Sequence, residues 1–149
     1  MNIEKTILNY EDKGREKFKR LCETLNYDYE NNSDMTAHYD GTVHYKGRDY
    51  LIEIKDRNVK FKEYPTIMFE CYKNDAIRNA VSEQGANGAY YVCFYDNEAF
   101  IFNVYDEEVE AITPVNVTCN RYTAFDGGKV EKPVKLLPKG ISHKYTLYD

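Results

Sequence analysis

Residues 39–58, YDGTVHYKGRDYLIEIKDRN, decide the predicted fold, because they place two strand-like runs on either side of a glycine turn. Apolar and polar residues alternate along residues 42–46, and residues 49–56 contain the most strand-like apolar run of the chain, so both stretches are predicted to be β-strands. The tight turn between the two runs predicts an antiparallel hairpin. In the second strand Glu53 and Lys55 share one face, since the side chains of a strand point alternately to its two sides.

The rest of the chain alternates helical and extended patterns. Residues 3–25 carry an apolar stripe at steps of three and four, which predicts a helix. Gly14 lies on this stripe, and it either breaks the helix in two or lets another backbone approach closely. Further elements are predicted in order: a strand at 35–40, a short strand in IMFECY, a helix from Lys73 with Asn74 or Asp75 as its cap, and a strand pair at 89–95 and 98–105.

This order of elements predicts a single α/β (α+β) domain with a central mixed sheet flanked by helices. A chain of 149 residues is long enough to bury a core without help from disulfides or metals. Beyond residue 113 the patterns weaken, although VNVTC favours a strand and DGG a turn. We therefore expect residues 113–149 to form a β-rich extension of the same domain.

Composition narrows the class of protein. The chain is 42% hydrophobic and 30% charged, as globular proteins are, and its net charge of −5 counts mildly against a nucleic-acid partner. The N-terminus has no signal-peptide pattern, and no apolar run approaches the roughly 20 residues that span a bilayer. The four cysteines are far apart, which favours reduced thiols over disulfides or a zinc site. We expect a cytoplasmic protein without a membrane partner.

Asp40 adds a second carboxylate to the pattern. It ends the predicted strand at 35–40, thirteen residues before Glu53, and a hairpin joins the two positions. Two close carboxylates repel each other, and a hard cation such as Mg²⁺ or Mn²⁺ relieves this repulsion. Lys55 could then assist an attacking water or stabilise charge on a phosphate oxygen. Two carboxylates, an ammonium and a hard metal are what phosphodiester hydrolysis requires.

The order of Asp40, short strand, glycine turn, apolar strand and Glu53-Ile54-Lys55 resembles the PD-(D/E)XK nuclease superfamily, which includes restriction endonucleases and Holliday-junction resolvases. The resemblance covers roughly residues 10–104, and Tyr39 stands where many members have a proline. It implies a restriction-endonuclease-like core over about residues 1–112. It also implies a Mg²⁺-dependent (or Mn²⁺-dependent) endodeoxyribonuclease, resolvase-like in character, with DNA as its partner and a homodimer as its assembly.

The resemblance assigns roles to individual residues. Asp40 and Glu53 bind the metal, the backbone carbonyl of Ile54 adds a ligand, and Lys55 is the catalytic lysine. Resolvase-like members also direct a glutamate of the first helix at the metal. Glu11 is favoured for this role, because it falls within about 40° of the apolar stripe on the helical wheel. Glu16 remains the alternative, since it follows Gly14 as the family's glutamate usually follows a glycine.

Two basic residues complete the predicted site. Lys73 precedes the second predicted helix and resembles a basic residue that some members place beside the active site. Arg57 shares the face of Glu53 and Lys55, so it could contact a phosphate of the nucleic acid. A solvated strand face also produces the pattern E-x-K, with surface ion pairs worth less than about 1 kcal/mol.

Two other functions are compatible with these residues. One is a non-catalytic binding or inhibitor protein with the nuclease fold, from a phage or mobile element. The acidic balance and the lack of an obvious basic groove favour it, whereas the presence of all three central residues (Asp40, Glu53 and Lys55) opposes it. The other is a polar-faced α/β domain in which the match to E-x-K is accidental.

Overall fold

The computed structural model describes residues 3–33, 38–57, 62–120 and 128–148, with the side chains of 3–11, 119 and 120 left aside. These residues form three α-helices: α1 (Ile3–Leu25), α2 (Cys71–Gln84) and α3 (Glu107–Glu110). They also form the strands β1 (Asp28–Asn31), β2 (Gly41–Tyr45), β3 (Arg48–Arg57), β4 (Thr66–Glu70), β5 (Gly88–Tyr95), β6 (Glu98–Asn103), β7 (Val115–Asn120), β8 (Lys129–Pro138) and β9 (His143–Thr146).

The strands belong to two sheets. The larger sheet has the order β1-β2-β3-β5-β6-β9. Its β3 and β5 are parallel and its other neighbours antiparallel, so the sheet is mixed. The smaller sheet is antiparallel, with the order β4-β8-β7. Helix α2 lies on the connection from β3 to the parallel strand β5, as parallel pairs require a crossover. The chain is therefore a mixed α/β fold, as the sequence predicts.

The predicted hairpin is confirmed. β2 pairs antiparallel with β3, from Gly41 opposite Ile52 to Tyr45 opposite Arg48. Only two residues separate the strands, and both have left-handed backbones, with φ of 51° at Lys46 and 76° at Gly47. Two consecutive positive φ values define the type I′ turn, whose twist matches that of the flanking strands. The glycine of KGR accordingly occupies a position where other residues are strained.

Helix α1 continues through Gly14, so the predicted break is wrong and the predicted close approach is confirmed. A Cβ atom at Gly14 would lie 2.9 Å from Ile54 Cγ2, a distance that real Cβ contacts essentially never show. This contact brings the helix down onto β3. The helix buries Phe18 and Leu21 against Ile52 and Ile54.

The other face of the larger sheet is also covered. Leu51 of β3 and Tyr91 of β5 pack in one cluster with Phe69 of β4, Ile77 of α2 and Leu137 of β8. The smaller sheet and α2 thus lie on the face of β3 that carries Glu53 and Lys55. These two residues are therefore not on the wet strand face that the pattern E-x-K alone would suggest.

Several predicted elements have different bounds. Residues 38–40 form a bend rather than the predicted strand, and residues 34–37 lie outside the described ones. The sequence does not predict strand β1, because its polar residues DYEN give little strand signal. In the structure β1 pairs with β2 at this edge of the larger sheet. Helix α2 begins at Cys71, directly after β4, so the predicted caps Asn74 and Asp75 are wrong and lie inside the helix.

The predicted strands at 89–95 and 98–105 are confirmed as β5 and β6, and that in VNVTC as β7. The chain after residue 113 supplies strands to both sheets, since β8 pairs with β4 and β9 pairs with β6.

Two further features concern the chain as a whole. Cys22, Cys71 and Cys93 carry free thiols, while the side chain of Cys119 lies outside the described ones. Within the described ranges, no helix combines the length and the apolar character that a membrane crossing demands.

Candidate active site

Asp40 binds the edge of β3 at the point where β2 stops pairing. The last β2 pair is Gly41 with Ile52, and one residue earlier the Asp40 N–H donates to the Ile52 carbonyl at 2.8 Å. The Ile54 N–H then donates to Asp40 Oδ2 at 2.7 Å. The Asp40 carboxylate thus replaces the missing strand partner, and it is buried there. An N–H and C=O of one strand residue point to the same edge, so the Ile54 carbonyl faces Asp40's side of β3.

The neighbouring strand β1 packs tightly around this position. A Cβ atom at Gly41 would collide with the Glu30 carbonyl and with the ring of Tyr29. Glycine is therefore needed beside Asp40 for β1 to approach. The Tyr29 hydroxyl is buried here and has no hydrogen-bond partner among the described residues. An unpaired buried hydroxyl is costly, so it calls for a water or another polar group at this place.

Glu53 is buried beside Asp40 and is joined to helix α2. Its Oε1 accepts from Lys73 Nζ at 3.1 Å, and only 8% of its side chain is exposed. Burial raises the pKa of Glu53 to about 7, the charge of Asp40 adds to this rise, and Lys73 opposes it. The charge of Asp40 acts on Glu53 because the two carboxylates are neighbours, and it disfavours the ionised form of Glu53. Lys73 thus lies beside Glu53, although it lies inside α2 and does not precede this helix as predicted.

Lys55 is half-buried on the same strand face as Glu53. Burial lowers its pKa to about 8, and the positive charges of Arg57 and Lys73 lower it further against the attraction of Glu70 and Glu53. A lysine in this condition exchanges its proton close to neutral pH. The amine can therefore act either as a proton acceptor or as a positive charge beside a reacting group.

Arg15 is a site residue that the sequence did not reveal. Its Nε lies 3.0 Å from Asp40 Oδ1, on the edge of β3 where β2 has ended. Gly14 provides the signal that could have found it, since the closest approach of α1 to β3 places the next residue near Asp40. Of the two predicted helix glutamates, Glu16 is exposed, whereas the side chain of Glu11 lies outside the described ones.

Arg57, predicted to contact a phosphate, links three strands. Its Nη2 donates to the Met68 carbonyl of β4 at 2.9 Å and to the Tyr91 hydroxyl of β5 at 3.3 Å. The Tyr91 hydroxyl donates to the same carbonyl at 3.0 Å. These contacts join β3 and β5 of the larger sheet to β4 of the smaller sheet.

Glu70 ends β4 on the side of the site formed by the smaller sheet. Glu70 is half-buried, and its Oε1 lies 2.9 Å from Lys132 Nζ on β8. Burial alone would raise its pKa, but the hydrogen bond and charge of Lys132, with the charges of Lys55 and Lys73, lower it. The pairing was missed because Glu70 and Lys132 are 62 residues apart in the chain.

The chemistry of these donors fits a hard divalent cation. Mg²⁺ usually binds through one or two carboxylates and completes its shell with waters and substrate phosphates. Asp40 and Glu53 supply two carboxylates, and the Ile54 carbonyl faces the same edge. No group of three or more His, Cys, Asp and Glu side chains suited to a metal occurs within the described ranges. The residues that would hold a metal are thus Asp40, Glu53 and Ile54.

A scan of protein-family models finds no match for this chain, and a search of curated proteins finds none either. The resemblance to the PD-(D/E)XK superfamily therefore remains a prediction that rests on the residues of β3 and their surroundings.

Proposed function

We propose that this protein is a metal-dependent nuclease of the PD-(D/E)XK type, with a restriction-endonuclease-like core, that hydrolyses phosphodiester bonds in DNA. One observation carries the proposal: the Asp40 carboxylate binds the edge of β3 at Ile54, beside buried Glu53, while Lys55 shares the face of Glu53. A buried carboxylate with a raised pKa beside a second carboxylate, next to an amine with a lowered pKa, is typical of a reactive centre.

Each residue has a distinct task in this proposal. Asp40 and Glu53 hold Mg²⁺ or Mn²⁺, with the Ile54 carbonyl as a further oxygen. When bound, the ion supplies Lewis-acid stabilisation of charge on the phosphate and a lower pKa for water. Lys55 Nζ takes a proton from the attacking water or stabilises the developing charge on a phosphate oxygen. Arg15 and Lys73 balance the two carboxylates while the site holds no other cation.

Burial determines how strongly these groups act. The smaller sheet and α2 cover the face of β3 that carries Glu53 and Lys55, so water is restricted around them. Electrostatic interactions between partly buried groups are stronger than those at an open surface. The same burial makes unpaired charges costly, which accounts for the ion pair that each carboxylate makes.

The alternative is a non-catalytic binding protein with the same fold. The ion pairs Arg15–Asp40 and Lys73–Glu53 favour it, because they neutralise both carboxylates without a metal. The lowered pKa of Lys55 opposes it, since a purely structural lysine gains nothing from that environment.

A cleavage assay separates the two functions. The purified full chain is incubated with plasmid, single-stranded and branched DNA in Mg²⁺, in Mn²⁺ and in chelator. We expect metal-dependent cleavage that is lost in Lys55→Ala and in Asp40→Ala. Asp12→Ala, which removes an exposed carboxylate of α1, is the matched control and should cleave normally.

Cleavage that survives both active-site substitutions contradicts the assigned roles. Failure to cut any DNA, together with no Mn²⁺ binding in calorimetry, supports the binding protein instead.

A further inference from the structure

Among the described side chains, positive charges outnumber the carboxylates around the candidate site. Three ion pairs neutralise three carboxylates one for one: Arg15 with Asp40, Lys73 with Glu53, and Lys132 with Glu70. Lys55 and Arg57 add two cations on the same face of β3. The whole chain carries a net charge of −5, so this local surplus runs against the overall charge. It indicates an anionic ligand at this face.

The smaller sheet extends past the site as a two-stranded ribbon. Residues 134–138 of β8 pair with β4, whereas residues 129–133 pair with β7 beyond the end of β4. We call the segments 116–120 and 129–133 the β7–β8 ribbon. It projects past Glu70, the last residue of β4, so one of its surfaces lies beside the site.

Lys132 of the ribbon reaches toward the site. Its ammonium lies 2.9 Å from Glu70 Oε1, and the charges of Lys55 and Lys73 also act on this carboxylate and lower its pKa. The side chains of Lys132 and Glu70 are each 27% exposed. An ion pair with this degree of exposure adds little to the stability of the fold. We therefore interpret the pair as orienting the accessible ammonium of Lys132, and not as a contact that stabilises the fold.

We propose that the β7–β8 ribbon forms one wall of a nucleic-acid cleft and that Lys132 binds a backbone phosphate next to the one at Lys55. The identity of the anion as a phosphodiester backbone rests on the proposed function. Phosphate contacts fix position without reading bases, so this contact should be independent of sequence. It also requires a ligand with at least two linked phosphates, which a nucleic-acid strand provides and free phosphate does not.

The test is the salt dependence of DNA binding. Affinity of the full chain for a short labelled duplex is measured by fluorescence anisotropy in chelator, from about 50 to 200 mM salt. Loss of one phosphate contact should weaken binding several-fold and reduce the slope of log K against log salt by about 0.9. We expect this change in Lys132→Ala and in Lys132→Gln, with an unchanged melting temperature.

Two further variants distinguish a phosphate contact from a structural pair. Glu70→Gln keeps the lysine and removes its carboxylate, so binding should stay equal or tighten if Lys132 contacts phosphate. Lys19→Ala removes an exposed lysine from α1, on the opposite face of the larger sheet, and should change nothing. Equal losses of affinity in Glu70→Gln and Lys132→Ala would assign the pair a structural role and overturn the inference.

The outcomes also separate this inference from the nuclease activity. An unchanged salt slope in Lys132→Ala, or no DNA binding by the unaltered chain, overturns the phosphate contact. Cleavage that depends on Lys55 but not on Lys132 supports the nuclease activity without the phosphate contact of Lys132. A reduced slope in a chain that cuts no DNA retains the phosphate contact and rejects the nuclease.

Discussion

Lys55 is a half-buried charged side chain, an environment that disfavours its ammonium form. Its pKa is about 8 in the folded chain because burial disfavours the charged ammonium, against an ordinary value of 10.5. At neutral pH the protein therefore keeps a charge where folding alone would favour an apolar group. Such unfavourable environments are expected at reactive centres. The environment of Lys55 is therefore a stronger indication of function than the sequence pattern E-x-K.

Replacing this lysine should stabilise the protein. Lys55→Met should raise the free energy of unfolding at pH 7 by about 1–3 kcal/mol, because it removes the cost of burying an ammonium. Between pH 8 and 10.5 the unfolded state binds more protons at Lys55, so the unaltered chain should gain stability as the pH rises there. Urea denaturation at several pH values measures both effects. Lys13→Met, at an exposed position, is the control; a destabilised Lys55→Met would contradict the assigned environment.

Glu53 predicts the opposite pH dependence in a different window. Its pKa is about 7 in the folded chain and ordinarily 4.5, so the folded state binds more protons between these values. The free energy of unfolding should therefore fall as the pH rises from about 4.5 to 7. Glu53→Gln, measured by denaturation in chelator, should lack this fall, whereas Glu16→Gln at an exposed site should keep it. Identical pH profiles for the two variants would show that Glu53 is not buried as described.

At the scale of elements, local patterns and distant pairings differ in how well the sequence predicts them. The β2–β3 hairpin is formed by consecutive residues, so local sequence patterns predict its two strands and its glycine turn. The alternation of side chains along a strand predicts the shared face of Glu53 and Lys55. The position of Asp40 also follows, since the hairpin fixes its distance from Glu53. The smaller sheet does not follow, because β4 and β8 are paired across a long stretch of chain. Lys132 was missed for that reason.

Arg15 was missed for a related reason. A helical wheel predicts which side of α1 faces the sheet, but not which strand edge the helix reaches. That edge is set by the contact of Gly14 with β3 and by the early end of β2. Both depend on packing between separate elements, which the sequence of α1 alone does not contain.

The contact of Gly14 with Ile54 yields a stability prediction for α1. In an isolated helix Gly→Ala is favourable by about 1 kcal/mol. Here the new methyl group would lie 2.9 Å from Ile54 Cγ2, on a stiff side chain buried in β3. We expect Gly14→Ala to lower the free energy of unfolding by about 1 kcal/mol, because overpacking outweighs propensity. Thermal or urea denaturation measures the change.

A double-mutant cycle identifies the cause of that loss. Ile54→Ala removes the atom that Gly14→Ala would approach, so the double variant should lose less stability than the sum of the single ones. Lys19→Ala, on the exposed side of α1, should change stability by less than about 0.5 kcal/mol. Stabilisation by Gly14→Ala would contradict the close approach of α1 to β3.

At the scale of the whole molecule, charge is distributed unevenly. The chain is acidic overall, yet the described side chains of its candidate site include more cations than carboxylates. Net charge counts mildly against a nucleic-acid partner, but it does not describe the candidate site, because the cations of the site come from α1, β3, α2 and β8. Only the fold brings these elements together.

A metal bound at Asp40 and Glu53 should stabilise the whole domain. Ligand at a hundred times its Kd adds about 2.7 kcal/mol to the free energy of unfolding, which corresponds to roughly 5–10 °C in Tm for a chain of this size. Scanning calorimetry with Mn²⁺ and then with excess chelator should show this rise and its reversal. Asp40→Asn should lose the rise, while Glu110→Gln, an exposed partner of Arg78, should keep it. An equal rise in both variants would place the metal elsewhere.

The most direct measurement of the central claim is anomalous diffraction from crystals soaked in Mn²⁺. A single site shared by Asp40 and Glu53 predicts one anomalous peak at about 2.1 Å from an oxygen of each carboxylate. Arg15 and Lys73 should then have moved away from those oxygens. A peak bound elsewhere, or none while both ion pairs persist at saturating Mn²⁺, would contradict the claim that these two carboxylates jointly hold a metal.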